Sequence, residues 1–151
     1  EDKELPEIKE AVLKLGENIQ IGEVKLFEAA NIGEYVHSNR KIGVLVSLSA
    51  GDPEVAKDVA MHVAATNPRV ISPDEISNDL VEKEKAIWEE QLKNEGKPAE
   101  ILDKIMMGKE KKFREENALL KQAFVKNPDQ TIEDLLSSAG ASVEGFARLT
   151  V

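Results

Sequence analysis

The sequence contains no cysteine. This absence excludes disulfide bonds, thiolate nucleophiles and cysteine-ligated zinc, and it fits a reducing compartment. No uninterrupted apolar run approaches the ~20 residues that a membrane-spanning helix needs, and the residues after Glu1 do not form a basic segment followed by an apolar one. We therefore predict a soluble chain with no membrane partner. Because the sequence begins with Glu1 and not with methionine, we also expect a piece of a longer protein.

Motifs for nucleotide or metal binding are also missing. Neither G-x-x-x-x-G-K-S/T nor G-x-G-x-x-G occurs, so no phosphate-binding loop is predicted. His37 and His62 are far apart in the sequence and no H-E-x-x-H motif is present, so we predict no metal site and no cofactor. No G-x-S-x-G motif occurs, and the many carboxylates lie on charged helical stretches where hydration explains them. These patterns favour a binding protein over an acidic hydrolase, and we predict no catalytic residue.

The charge of the chain limits its partners further. The formal net charge is −9 at pH 7, so the long-range field repels phosphate backbones and anionic lipid. We therefore predict no nucleic-acid partner. The chain has 151 residues, of which 41% are apolar, and this is enough for one compact core.

Apolar periodicity predicts an α+β fold with a small antiparallel sheet. Helical spacing indicates a short helix over 5–15, which Gly16 would end. Alternation of apolar and polar residues predicts strands over 19–30, 41–49 and 143–151, and the first two should pair antiparallel.

The helix after the second predicted strand has a clear start. Asp52 can cap it, Pro53 suits its first position, and Glu54 complements its dipole. We expect this helix to end near Thr66, with one apolar side that lies close on the sheet. That side consists of Val55, Ala56, Val59, Ala60, Val63 and Ala64.

Two densely charged helices are predicted at 78–95 and 98–117, after a capping box that spans Ser72 to Glu75. The short connection Gly96-Lys97-Pro98 predicts an antiparallel, coiled-coil hairpin. We expect its apolar residues to form the seam and to support dimerisation, with apolar surface left over at Met107. The residues are Leu80, Trp88, Leu92, Ile101, Ile105 and Met106.

The hairpin is predicted to interrupt the α+β core. The core comprises 1–76 and 119–151, and the inserted hairpin comprises 77–118. After the hairpin we expect a brief extended segment at 123–125 and a short helix that Thr131 opens and Gly140 closes.

The two histidines are the main candidate contact residues. His37 lies beside Tyr35, Asn39 and Arg40 at a strand end or loop, where it is either a partner contact or an ordinary loop residue. His62, next to Met61, is either a partner contact or a residue that pairs with Asp58 on the solvated face of its helix. The pattern alone favours the second interpretation.

Six blocks of sequence carry a resemblance to a known family. They are GENI at 16–19, YVHSNRKIGVLV at 35–46, DVAMHVAATNP at 58–68, GKP at 96–98, GKEKKF at 108–113 and ENALLKQAFVK at 116–126. In this order, along nearly the whole chain, they resemble elongation factor Ts.

The resemblance implies a nucleotide exchange factor for the GTPase elongation factor Tu, in a bacterial cytoplasm or an organelle matrix. Proteins of this family have two related α+β halves, each with a three-stranded antiparallel sheet, and a helical hairpin used in dimerisation. The chain is similar to the second half, with 1–16 as the last helix of the first. By resemblance, the loop with Tyr35, His37, Asn39 and Arg40 contacts domain 3 of elongation factor Tu, and Met61 and His62 are further candidates.

One alternative stays open. The family's N-terminal helical module and its Thr-Asp-Phe-Val loop have no counterpart in this sequence. The chain could therefore be an autonomous homodimerisation domain with little exchange activity.

Overall fold

The fold is a three-stranded antiparallel sheet with one helix against it and two long helices that project from the same core. A computed structural model describes residues 30–150, so the helix predicted at 5–15 and most of the strand predicted at 19–30 lie outside the described residues. The strands are β1 (Asn31–Val36), β2 (Ile42–Leu48), β3 (Ala123–Phe124), β4 (Asn127–Thr131) and β5 (Val143–Thr150). The helices are α1 (Pro53–Thr66), α2 (Asn78–Asn94), α3 (Ala99–Asn117) and α4 (Ile132–Ser138).

The sheet confirms the predicted fold class, although one of its strands was not predicted. Its order is β1-β2-β5, with β2 antiparallel to both neighbours, and β3 pairs with β4 in a separate small sheet. β2 and β5 occupy the ranges predicted from alternation. β1 was missed because Asn31 and Gly33 belong to residue types that are depleted in strands. The short β4 was missed as well.

Gly33 is where α1 approaches the sheet most closely. A Cβ added at Gly33 would lie 2.2 Å from the carbonyl oxygen of Ala56, so the backbone of β1 lies directly against the backbone of α1. The side chains of α1 that face the sheet are small and buried: Ala56, Val59, Ala60, Val63 and Ala64. The predicted close packing of this helix is confirmed.

The ends of α1 follow the predicted chemistry. The Asp52 carboxylate accepts a hydrogen bond from the Glu54 amide at 2.8 Å. After Thr66 the chain turns at Asn67, which has a left-handed backbone with φ of 48° and donates its amide to Val63 O at 3.0 Å. A helix that starts and stops at fixed residues also has a fixed register against the sheet.

The segment that returns from the long helices completes the core. Leu119, Phe124, Ile132 and Leu136 are buried against β2 and α1. α4 starts at the predicted capping box, where the Thr131 hydroxyl accepts from the Asp134 amide at 3.2 Å and the Thr131 amide donates to Asp134 at 3.0 Å. The hydrogen bonds that the Thr131 amide and then the Thr131 hydroxyl donate to the Asp134 carboxylate lower the pKa of this carboxyl.

α2 and α3 run side by side and are joined at Gly96, as predicted. Lys85 of α2 pairs with Glu110 of α3 at 2.8 Å, and the Trp88 ring meets the edge of Phe113 with centroids 5.6 Å apart. Their coiled-coil character and the division of the chain into core and insertion stay predictions.

Arg114 connects this pair of helices to the core. Its guanidinium donates to the carbonyl oxygens of Pro73 and Ile76 and to the side chain of Asn78, at 3.2–3.4 Å. The ion pair of Arg114 with Glu110, at 3.0 Å, extends this network to Lys85. The end of the hairpin that adjoins the core is therefore held by directional hydrogen bonds as well as by apolar packing.

We predict that Gly33→Ala destabilises the chain by roughly 1–3 kcal/mol, because the new methyl group must push α1 away from the sheet. Gly43→Ala is the matched control, since a Cβ there meets nothing within 4 Å, and it should leave stability unchanged or raise it by up to about 1 kcal/mol. Urea unfolding monitored by circular dichroism measures both. Equal stability of the two variants would contradict the close contact.

Candidate partner-binding surface

The loop between β1 and β2 presents three of the predicted contact residues. His37, Asn39 and Arg40 are exposed. The loop is held by its own backbone: the His37 amide donates to Ile42 O at 2.9 Å, and the Arg40 amide donates to His37 O at 2.8 Å. Asn39 accepts from the Lys41 amide at 2.9 Å. The loop is therefore a defined turn whose polar side chains point outward from a fixed backbone.

Tyr35 connects this loop to the core. It is half-buried and packs against the apolar core, and its hydroxyl lies 3.3 Å from His37 Nδ1. Tyr35 thus orients an imidazole that is otherwise in solvent. An ordered pair of Tyr and His at the end of a strand is typical of protein interfaces.

A groove of about 390 Å³ runs from Tyr35 along α1. It brings together residues from three separate parts of the sequence, and the contact candidate Met61 is one of them. The lining residues are Tyr35, Pro53, Glu54, Lys57, Asp58, Met61 and Lys126. Val125, next to Lys126 in the chain, is 41% exposed. We call the loop 37–41 together with Tyr35, Met61, Val125 and Lys126 the docking surface.

His62 is not on the solvated face of α1, so that expectation is wrong. Its side chain is fully buried, with 0% exposure, and it does not pair with Asp58. In this structure the imidazole is also out of reach of a partner. The helical spacing correctly put Asp58, His62 and Thr66 in one row, but it could not show that a later segment of the chain covers this row.

Asp58, His62 and Thr66 on α1 hold the segment 122–126. We call their contacts with this segment the strap. Gln122 Oε1 lies 2.9 Å from His62 Nε2 and accepts from the Thr66 hydroxyl at 2.8 Å. The Val125 amide donates to His62 Nδ1 at 3.3 Å, and Lys126 forms an ion pair with Asp58. Asp58, His62 and Thr66, which stand on successive turns of α1, therefore all hold this segment.

The strap fixes the protonation state of His62. Nδ1 accepts a hydrogen bond, so it carries no proton, and Nε2 donates to Gln122. Burial lowers the pKa of the imidazole below 6.5, and the hydrogen bond to Gln122 opposes this effect in part. The ring is thus a neutral linker at physiological pH.

The predicted hairpin residues divide by exposure. Leu92 is buried, and Leu80, Trp88, Ile105 and Met106 are half-buried. Their role in a seam stays a prediction. Ile101 is exposed, and so are Ile87 at 50% and Met107 at 72%. The two helices therefore leave apolar side chains uncovered.

Metal-ligating side chains are dispersed in the described residues 30–150. No group of three or more His, Cys, Asp or Glu side chains with suitable geometry occurs there. In the same part of the chain, no helix is both long and apolar enough to cross a membrane.

Comparisons with known protein sequences show the family of the chain. The family model described as "Elongation factor TS" matches residues 3–151. The chain belongs to the elongation factor Ts family. It is 53% identical over 140 residues to elongation factor Ts of Marinobacter nauticus and 51% identical over 142 residues to that of Saccharophagus degradans. It is 50% identical over 143 residues to that of Francisella tularensis subsp. novicida.

These matches cover most of this chain but only part of each relative. They include 93%, 93% and 95% of the chain, and 48%, 49% and 49% of the respective elongation factor Ts proteins. The chain therefore spans about half the length of the curated relatives it matches.

We predict that the free energy of unfolding falls as the pH drops below about 6.5, where the unfolded imidazole of His62 gains a proton that the folded state resists. Because the pKa of His62 is lower in the folded state, its contribution to stability is complete at pH values above 6.5. This contribution is lost as the pH falls toward the pKa of the folded state. One proton gives a slope of at most about 1.4 kcal/mol per pH unit.

The comparison of the chain with His62→Asn isolates this contribution, because both contain the same carboxylates. Urea unfolding at pH 5.5 and 7.5 should show a smaller pH dependence for the variant. Identical pH dependence of the two would contradict a buried neutral His62.

Proposed function

We propose that this chain is a part of an elongation factor Ts that binds elongation factor Tu through the docking surface. In that role it helps the GTPase release GDP as a guanine nucleotide exchange factor. The observation that carries the proposal is that Tyr35 lines one groove with Met61 and also contacts His37 of the exposed loop. Family membership supports the identity of the partner.

An exchange factor of this kind needs no bond-making groups. If it binds the nucleotide-free GTPase more tightly than the loaded one, linkage requires that it weaken nucleotide affinity by the same factor. A tenfold preference corresponds to about 1.4 kcal/mol of coupling. The chain has to supply only a rigid surface that fits one state of the partner better than the other.

The docking surface has the composition of such an interface. Tyr35 and Met61 provide apolar area at the groove, and Val125, the chain neighbour of the groove residue Lys126, exposes further apolar area. His37, Asn39 and Arg40 provide hydrogen-bond donors and acceptors around this area. An apolar centre with a polar rim is the usual arrangement of a specific protein contact.

We predict that His37→Ala weakens binding to elongation factor Tu by roughly 1–2 kcal/mol, because the exposed His37 imidazole is ordered by Tyr35, which lines the groove. Lys111→Ala is the matched control, since Lys111 lies on α3 with 77% of its side chain exposed and only a 3.9 Å ion pair. Isothermal titration calorimetry with nucleotide-free elongation factor Tu measures both. An affinity loss that is the same in the control, or absent in His37→Ala, would contradict the proposed surface.

A second function is favoured by the uncovered apolar side chains of the hairpin. Ile87 and Met107 lie on α2 and α3 and leave apolar area in solvent, and such area supports association with a second copy. We propose that the chain also forms a homodimer through this face. An autonomous homodimerisation domain with little exchange activity is the alternative to an exchange factor.

We predict that the double change Ile87→Glu and Met107→Glu weakens self-association at least about tenfold, because each carboxylate would have to be desolvated at the contact. Ile32→Glu, at an exposed position of β1, is the control and should leave the strength of self-association unchanged. Light scattering over a concentration series gives the dissociation constants. Loss of association in the control alone would place the contact on the sheet instead.

A further inference from the structure

We propose that His62 is a positioning residue for the docking surface: its imidazole holds the backbone of Val125, so that Val125 and Lys126 stand beside the groove. The inference rests on the proposed function, because it assigns to a buried side chain an effect on partner affinity. It differs from the direct contact that the sequence suggested, since His62 touches no solvent.

The argument starts from the turn that contains Val125. Phe124 of β3 pairs with Asn127 of β4, so Val125 and Lys126 are the two residues that connect these strands. The outward-pointing amide of such a turn has no partner within its own hairpin. In this structure that amide donates to His62 Nδ1 at 3.3 Å. The histidine thus supplies the acceptor that the turn lacks.

The other edge of the imidazole is held independently. His62 Nε2 lies 2.9 Å from Gln122 Oε1. The side-chain Nε2 of Gln122 donates in turn to the Glu116 carbonyl oxygen at 2.8 Å. The Phe124 ring lies beside the imidazole, with centroids 6.2 Å apart. The acceptor for Val125 is therefore held by its position on α1 and by two further neighbours, Gln122 and Phe124.

The strand pairing around Val125 is too short to position the turn without this contact. β3 contains two residues, and its register with β4 shifts between Ala123 and Phe124. A two-stranded ribbon of this size has little stability of its own. The orientation of Val125 relative to Met61 on α1 then depends on the contacts of the strap, of which His62 makes the one to the Val125 backbone.

Two conservative substitutions separate positioning from general stabilisation. The amide of His62→Asn can replace Nδ1 and accept from Val125, whereas the longer His62→Gln places its amide near Nε2 and keeps only the link to Gln122. Each variant loses one hydrogen bond and part of the buried ring, so comparable losses of stability are expected. Thr66→Val is a further control, because it breaks the strap without touching Val125.

The experiment measures affinity for nucleotide-free elongation factor Tu by calorimetry, stability by urea unfolding, and the Val125 amide resonance by NMR. We expect His62→Gln to bind about five- to tenfold more weakly, with an upfield shift of the Val125 amide proton. His62→Asn and Thr66→Val should stay within about twofold of the unmodified chain and keep the resonance. This pattern would support positioning even if all three variants are less stable.

The experiment distinguishes failure of the positioning role from failure of the proposed function. If the unmodified chain binds and the affinities of the variants only follow their stabilities, the positioning role is contradicted and the proposed function stands. If the unmodified chain does not bind, the proposed function is contradicted and the positioning role falls with it. If His62→Gln is unfolded, hydrogen exchange of the Val125 amide in His62→Asn is measured instead. Fast exchange contradicts the hydrogen bond between Val125 and residue 62, and slow exchange supports it.

Discussion

The position of α1 between two unlike neighbours is the constraint on which the rest of the structure depends. On one side its backbone lies against β1 at Gly33, where no side chain would fit. On the other side its polar row fastens the segment 122–126 through the strap. Because both contacts depend on the register of one helix, the cap at Asp52 and the stop at Asn67 set the geometry of the whole docking surface.

This arrangement explains how separate parts of a small chain can form one recognition surface. Tyr35 comes from a strand and Val125 from a turn, and both segments contact α1, which carries Met61. A partner that must be recognised in one conformation requires a surface that does not adapt to every state. Buried polar contacts such as those of His62 supply that rigidity, because they have directional preferences that apolar packing lacks.

Much of the fold could be predicted from local chemistry, and the missing parts have physical reasons. Caps and periodicity gave α1, α4 and both hairpin helices, and alternation gave β2 and β5. β1 was missed because Gly33 is there for a long-range contact with α1 that strand propensity does not register. The contact candidates on the loop came from residue type together with the family resemblance, and their role as contacts stays a prediction. The burial of His62 was not, because its acceptor and donor partners lie 60 and 63 residues further along the chain.

Hydrogen exchange of the chain with and without nucleotide-free elongation factor Tu tests the central claim most directly, since it maps where the partner binds. The docking surface predicts slower exchange at 35–41 and 122–126 on complex formation, with no change at the hairpin tip around Gly96. Protection confined to α2 and α3, or no protection in any segment, would contradict the account.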